Sequence, residues 1–178
     1  MAVTISGSGP ITGLTTIASP TTINGLTIPT TGFGKILQIV RATDVSSRST
    51  SSTSFSDVTG MSVTITPQMD TSAILVISTF YGLASRSSGT GCRAIYAITD
   101  SSNNTVSGGG SATLGTYRYS YGTSALSDGP ITLIGYATPA TTSAVTYKLR
   151  FRAGEAGNSS EIEGTVNTSQ MYAIEVSA

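Results

Sequence analysis

The chain has 178 residues, nine of them basic, nine acidic and none histidine, so its formal net charge is zero. A zero balance removes the electrostatic footprint of a nucleic-acid binder and leaves no basic patch for an anionic membrane. Without histidine the commonest general base and metal ligand is missing, and neither a Ser-His-Asp nor a Cys-His constellation can be assembled within the chain.

What the composition favours is strands. Charged residues are 10% of the chain, where about a quarter is usual. Ser and Thr make up about a third of it, and 20 residues are Gly. Thr, Val and Ile suit a pleated, half-buried surface, and Ser and Gly suit the turns between strands. A hydrophobic content of 38% is too high for a disordered chain of this kind. So dry a surface would be poorly soluble exposed, which points to contact with other protein. The length suits one sizeable domain with an appendage.

The opening Met1-Ala2-Val3-Thr4-Ile5-Ser6-Gly7 has neither a basic n-region nor an apolar h-region and is not read as a signal peptide. Lys35 is the first charged residue. Before it, Ile5, Ile11, Leu14, Ile17, Ile23, Leu26 and Ile28 are separated by Thr, Ser, Gly and Pro, and Ile11-Thr12-Gly13-Leu14-Thr15 is echoed by Ile23-Asn24-Gly25-Leu26-Thr27. Pro10, Pro20 and Pro29 exclude a continuous helix. Residues 1–34 are therefore expected to be an extended, uncharged arm with too few apolar residues for a core of its own. One reading is a floppy leader. The preferred one is an assembly arm that adds strands to a neighbour or winds with its copies.

From Lys35 onward the sequence predicts a body, 35–178, of eight or nine strands. They are placed at 36–41, 61–66, 73–81, 92–99, 112–121, 131–138, 145–152, 161–166 and 170–176, with Gly, Ser, Asn and Pro clusters between them. Residues 43–59 read as a long Ser/Thr-rich connection. No stretch shows capped helical periodicity, and runs such as 73–77 are too short to span a bilayer. The expected fold is an all-β, antiparallel, jelly-roll-like sandwich. Alternation orients two strands: Val145, Tyr147, Leu149 and Phe151 oppose Lys148, Arg150 and Arg152, and Met171, Ala173 and Glu175 oppose Tyr172, Ile174 and Val176. If 153–160 is a hairpin loop, Arg152 stands opposite Glu161 and Arg150 opposite Glu163, as ion pairs that fix register or meet another subunit.

Candidate chemistry is sparse. Cys92 lies in strand-like sequence and reads as a small buried residue; one Cys cannot build a zinc site. Glu161 and Glu163 share a strand face, and Asp44 and Asp57 flank the Ser/Thr connection. Neither pair suggests a glycosidase cleft, and Trp is absent as a sugar platform. Asp100-Ser101-Ser102-Asn103-Asn104 reads as an Asx turn rather than a calcium loop. Gly108-Gly109-Gly110 lacks the Lys-Ser/Thr of a phosphate loop. No catalytic residue, metal or cofactor is expected. Tyr117, Tyr119 and Tyr121 alternate with Arg118 and Ser120, which places three rings on one face as a subunit interface or, alternatively, a receptor contact.

The body resembles a module of tailed-phage virion proteins. The likeness lies in Gly34-Lys35-Ile36-Leu37-Gln38-Ile39-Val40, in the Ser/Thr run into Thr53-Ser54-Phe55-Ser56-Asp57, in Gly60-Met61-Ser62-Val63-Thr64-Ile65-Thr66-Pro67 and in Ser72-Ala73-Ile74-Leu75-Val76. The closing Tyr172-Ala173-Ile174-Glu175-Val176 is similar to that module's last strand. The resemblance implies a homotrimeric β-sandwich on a fibre or capsid surface, with no catalytic residues. The leader is only 34 residues and lacks coiled-coil heptads, which disfavours a long fibre shaft. The expectation is a non-enzymatic homotrimeric capsid decoration (cement) protein, held by its arm to the major capsid protein or another virion protein. It would be assembled in the host cytoplasm and reside in the virion. A short tail fibre or tail tip that binds a cell-surface glycan is the alternative. Neither nucleic acid nor membrane insertion is expected.

Overall fold

The computed structural model describes residues 22–23, 26–27, 35–86, 91–109, 116–120, 126–165 and 167–177, with backbone only for 22–23, 26–27 and 116–120. The chain divides into two compact units, Met1–Phe33 and Gly34–Ala178.

In the first unit, β1 (Thr22–Ile23) pairs antiparallel with β2 (Leu26–Thr27), Ile23 standing opposite Leu26. The sequence between them is Asn24-Gly25, the dipeptide that two-residue hairpins favour because both positions tolerate positive φ. The other arm residues singled out above, Ile5, Ile11, Leu14, Ile17 and Ile28, lie outside the described residues.

The second unit holds β3 (Ile36–Asp44), β4 (Arg48–Thr50), β5 (Ser56–Ile65), β6 (Ala73–Arg86), β7 (Cys92–Asp100), β8 (Thr116–Ser120), β9 (Leu126–Ala137), β10 (Val145–Ala153), β11 (Asn158–Glu163) and β12 (Ser169–Val176). Among the described residues there is no helix. The strands form two antiparallel sheets that share one core, a β-sandwich. Sheet II has the order β5-β10-β7-β8. Sheet I is built on the 14-residue β6, with β9 along one edge. On its other edge β12 pairs with the first half and β11 with the second. β3 and β4 extend those two strands outward in turn. Sheet I is therefore four rows wide, and its two outer rows on that side are each made of two short strands end to end.

Both interruptions fall at the same level and fit each other. Asp44 accepts a hydrogen bond from Ser46 N (3.1 Å) and pairs with Arg48 (3.2 Å), which turns the chain between β3 and β4. The excursion after β11 passes directly over that turn. A side chain at Gly164 would meet the Ser46 and Val45 carbonyl carbons at 2.4 and 2.6 Å, so only glycine fits.

The core follows from alternation, interrupted in β5 at Gly60. β6 sends Ile74, Val76, Phe80 and Ala84 inward, β5 sends Val58, Met61, Val63 and Ile65, and β10 sends Tyr147, Leu149 and Phe151. Each large side chain so buried contributes roughly 1.5–3 kcal/mol. Tyr96 links the layers: its ring packs on Phe80 at 4.9 Å, and its hydroxyl donates to the carbonyls of Glu161 (2.7 Å) and Leu83 (3.1 Å) in sheet I.

Several elements exceed their predicted extents. β6 runs to Arg86 because β9 and β11 pair with it on both edges, which carries the weak strand formers Gly82, Ala84 and Ser85. β9 begins at Leu126 and tolerates Pro130 because it is an edge strand. The predicted connection 43–59 contains β4 and the start of β5. One pairing is corrected. β10 and β11 are not a hairpin, because both edges of β10 are taken by β5 and β7. After Ala153 the chain turns through Gly157 (φ 83°) and crosses to sheet I, so Arg152 does not stand opposite Glu161, nor Arg150 opposite Glu163.

Candidate assembly surface

The outward face of sheet I carries aliphatic and aromatic side chains in transverse rows. Ile39, Ile174, Leu75 and Tyr136 lie side by side across all four rows of the sheet. The next level is Arg41, Tyr172, Ile77 and Ile134, and on the opposite flank Ile36 stands beside Val176 and Ala73. Ile36 and Ile39 are each 57% exposed, Ile134 54% and Tyr136 52%. Isolated exposed aliphatics are ordinary; a contiguous group of this size marks a surface that meets other matter. The face stops abruptly at a polar level of Thr43, Gln170, Thr79 and Thr132. Beyond it the sheet turns acidic. Glu163 stands beside Tyr81, whose hydroxyl donates to Asp128 (2.6 Å), and Glu161 stands beside Leu83.

Glu161 and Glu163, predicted as ion-pair partners, are instead acceptors for neighbouring hydroxyl and amide groups. Ser85 Oγ donates to Glu161 (3.2 Å), and Ser47 Oγ (3.2 Å) and Thr165 N (3.0 Å) donate to Glu163. The Thr165 N–H, with the Thr165 and Ser47 side chains, holds the Glu163 carboxyl below the usual carboxylate range.

Arg150 and Arg152 lie on the outward face of sheet II, where Asp57 of β5 pairs with Arg150 and Lys148. Arg150 Nε donates to Asp57 Oδ1 (2.7 Å) and Lys148 Nζ to Asp57 Oδ2 (2.9 Å). The Arg150 and Arg152 guanidiniums lie 5.8 and 5.3 Å from the Phe55 ring centroid. Asp57 reaches Arg150 because the β5–β10 register shifts between Lys148 and Arg150, where Gly60 adopts φ 89°. Partial burial pushes the Asp57 carboxyl up, but the Lys148 and Arg150 hydrogen bonds and charges outweigh it and leave it low.

Tyr117 and Tyr119 fall on β8, in register with Ile95 and Arg93; Tyr121 lies outside the described residues. Cys92 is fully buried, with its thiol directed at the Ala84 carbonyl (3.2 Å). Asp100 forms the Asx turn expected of its segment. Its two oxygens accept from Asn104 N (2.9 Å) and Nδ2 (3.0 Å), and Asn103 takes positive φ. A cavity of about 400 Å³ opens beside this turn, lined among others by Asp100, Asn104, Ser107, Tyr136 and Tyr147. Burial, and then the Asp100 charge, raise the Tyr147 phenol above its usual value.

Sequence reasoning missed the sheet I face. Its signal was present as unbroken apolar runs, 73–77 above all, in which both alternating sets are apolar. Such a run says that both faces meet apolar surroundings but not which neighbours align. Comparison of the sequence with protein-family models and with curated proteins finds no match.

Proposed function

We propose that this chain is a non-enzymatic structural protein of a tailed-phage virion, a homotrimeric capsid decoration protein whose body is a jelly roll and whose first 34 residues anchor it. The observation that carries the assembly reading is the exposed apolar face of sheet I, a contiguous patch of the kind that marks a contact surface. The jelly-roll reading is supported by connectivity. The chain alternates between the sheets from β3/β4 to β5, β6 and β7, takes β8 in the same sheet, then alternates again through β9 and β10 to β11/β12. The first and last rows end as neighbours, as two Greek keys require. The virion setting is supported by the resemblance of residues 34–80.

Ordering an arm costs chain entropy, so the arm's contact with the lattice must be extensive. Three arms on one trimer would convert weak single contacts into tight attachment. Deleting residues 1–34 should leave a body with an unchanged β circular-dichroism spectrum that no longer binds particles lacking this protein. A truncated chain that decorates such particles normally sinks the anchoring mechanism.

The cavity beside the Asp100 turn favours a second reading, a tail-tip protein that holds a cell-surface glycan. Tyr136 is half exposed there and offers a ring for a sugar to stack on, with Asn104 and Ser107 as polar groups. In that case the chain binds a glycan array and Tyr136→Ala abolishes the signal.

A further inference from the structure

We infer that the outward face of sheet I is where copies of this chain pack against one another, a step that rests on the assembly reading above and names its partner. Size supports this. Four strand rows about 4.8 Å apart and three transverse levels about 6.8 Å apart cover roughly 400 Å². A stable pairwise interface takes about 800 Å² from each partner, with a dry centre and a polar rim. The face supplies about half of that area, as the dry centre, and the Thr43–Gln170–Thr79–Thr132 level supplies one side of the rim.

Charge supports it as well. The same face of each copy would surround one common axis, so a face dense in one sign of charge would repel its copies. This face carries one charged side chain, Arg41, at its corner. There the guanidinium lies 5.7 Å from the Tyr172 ring centroid and donates to Gln170 Oε1 (2.9 Å). The remaining aliphatic and aromatic groups are compatible with their own copies. The acidic groups on this outward face, Glu161, Glu163 and Asp128, all lie beyond the polar level.

The test uses the full chain. By sedimentation equilibrium at micromolar concentration the wild type is expected at three times its 18.1 kDa chain mass. The double variant Ile39→Lys with Ile134→Lys is expected at the mass of one chain with its melting temperature at high dilution unchanged, since both side chains are more than half exposed. As a second measurement, Ile39→Cys should give covalent dimers with a short bifunctional maleimide, and Ser62→Cys on the outward face of β5 should not. Cys92 is buried and does not compete. A double variant that stays associated overturns this inference and leaves the assembly reading intact. A wild-type chain that sediments as a monomer also overturns it, whether its own arm or another virion protein then covers the face. The assembly reading fails separately, if the wild-type chain does not bind particles lacking it.

Discussion

Glu175 has no accessible surface, yet it lies on the inward face of β12 beside Ala173 and Met171. Burial pushes its carboxyl up. Gln38 Nε2 (2.6 Å) and the backbone N–H groups of Gln68 (2.7 Å) and Met69 (3.4 Å) outweigh that and hold it below the usual carboxylate range. The carboxylate thus ties β12 to β3 and to the turn before β6. Glu175→Ala leaves those donors unsatisfied and should cost about 2 kcal/mol, a loss of roughly 4–8 °C in melting temperature. Because the folded-state value lies below the unfolded one, this contribution is complete above the ordinary carboxylate range and is lost as pH falls through the folded value. Asp57 and Asp100, whose carboxyls are also lowered, act in the same direction. The urea midpoint should therefore fall on acidification below about pH 4, and Glu175→Ala should fall less steeply than wild type. A midpoint that rises on acidification would contradict the assignment. Tyr96→Phe removes a donor to two sheet I carbonyls and should cost about 1 kcal/mol, read in the same titration.

Among the elements, β5 shows how local conformation sets long-range pairing. Its irregular stretch at Gly60 brings Asp57 opposite Arg150, and the predicted Glu161 and Glu163 partners go to the other sheet. The alternation of β10 was legible, since Tyr147, Leu149 and Phe151 are buried and Lys148, Arg150 and Arg152 are not. The partner strand was not legible, because period-two patterning fixes a face and says nothing about which edge meets which. A residue with a side chain at Gly60 would be strained at φ 89° and would crowd Asp44 at 3.0 Å. Gly60→Ala should therefore destabilise by about 1 kcal/mol or more. Asp57→Asn should cost less than about 1 kcal/mol because the carboxylate is half exposed, and the difference from wild type should shrink in 1 M salt.

For the whole molecule, the balance of surfaces matters more than any one site. One face of sheet I is apolar at one end and acidic at the other, and the outward face of sheet II carries Lys148, Arg150 and Arg152. Zero net charge therefore conceals an uneven distribution. Association of the full chain should be insensitive to salt if the apolar end makes the contact, since hydrophobic burial is not screened. An association that dissolves between 0.1 and 1 M NaCl would place the contact on the charged faces instead. What the sequence determined by itself was the strand-forming character, the absence of any histidine-based chemistry, the change at Lys35 and the inward set of each well-alternating strand. These depend on residue type and on neighbours along the chain, where propensity and period act. Only the tertiary structure decided which strands share a sheet, that two rows are each built from two strands, that Asp57 is the partner of Arg150, and that the apolar outward residues of β3, β12, β6 and β9 merge into one face. Each of these is a property of alignment between segments far apart in sequence, fixed by the competition of all edges and faces at once.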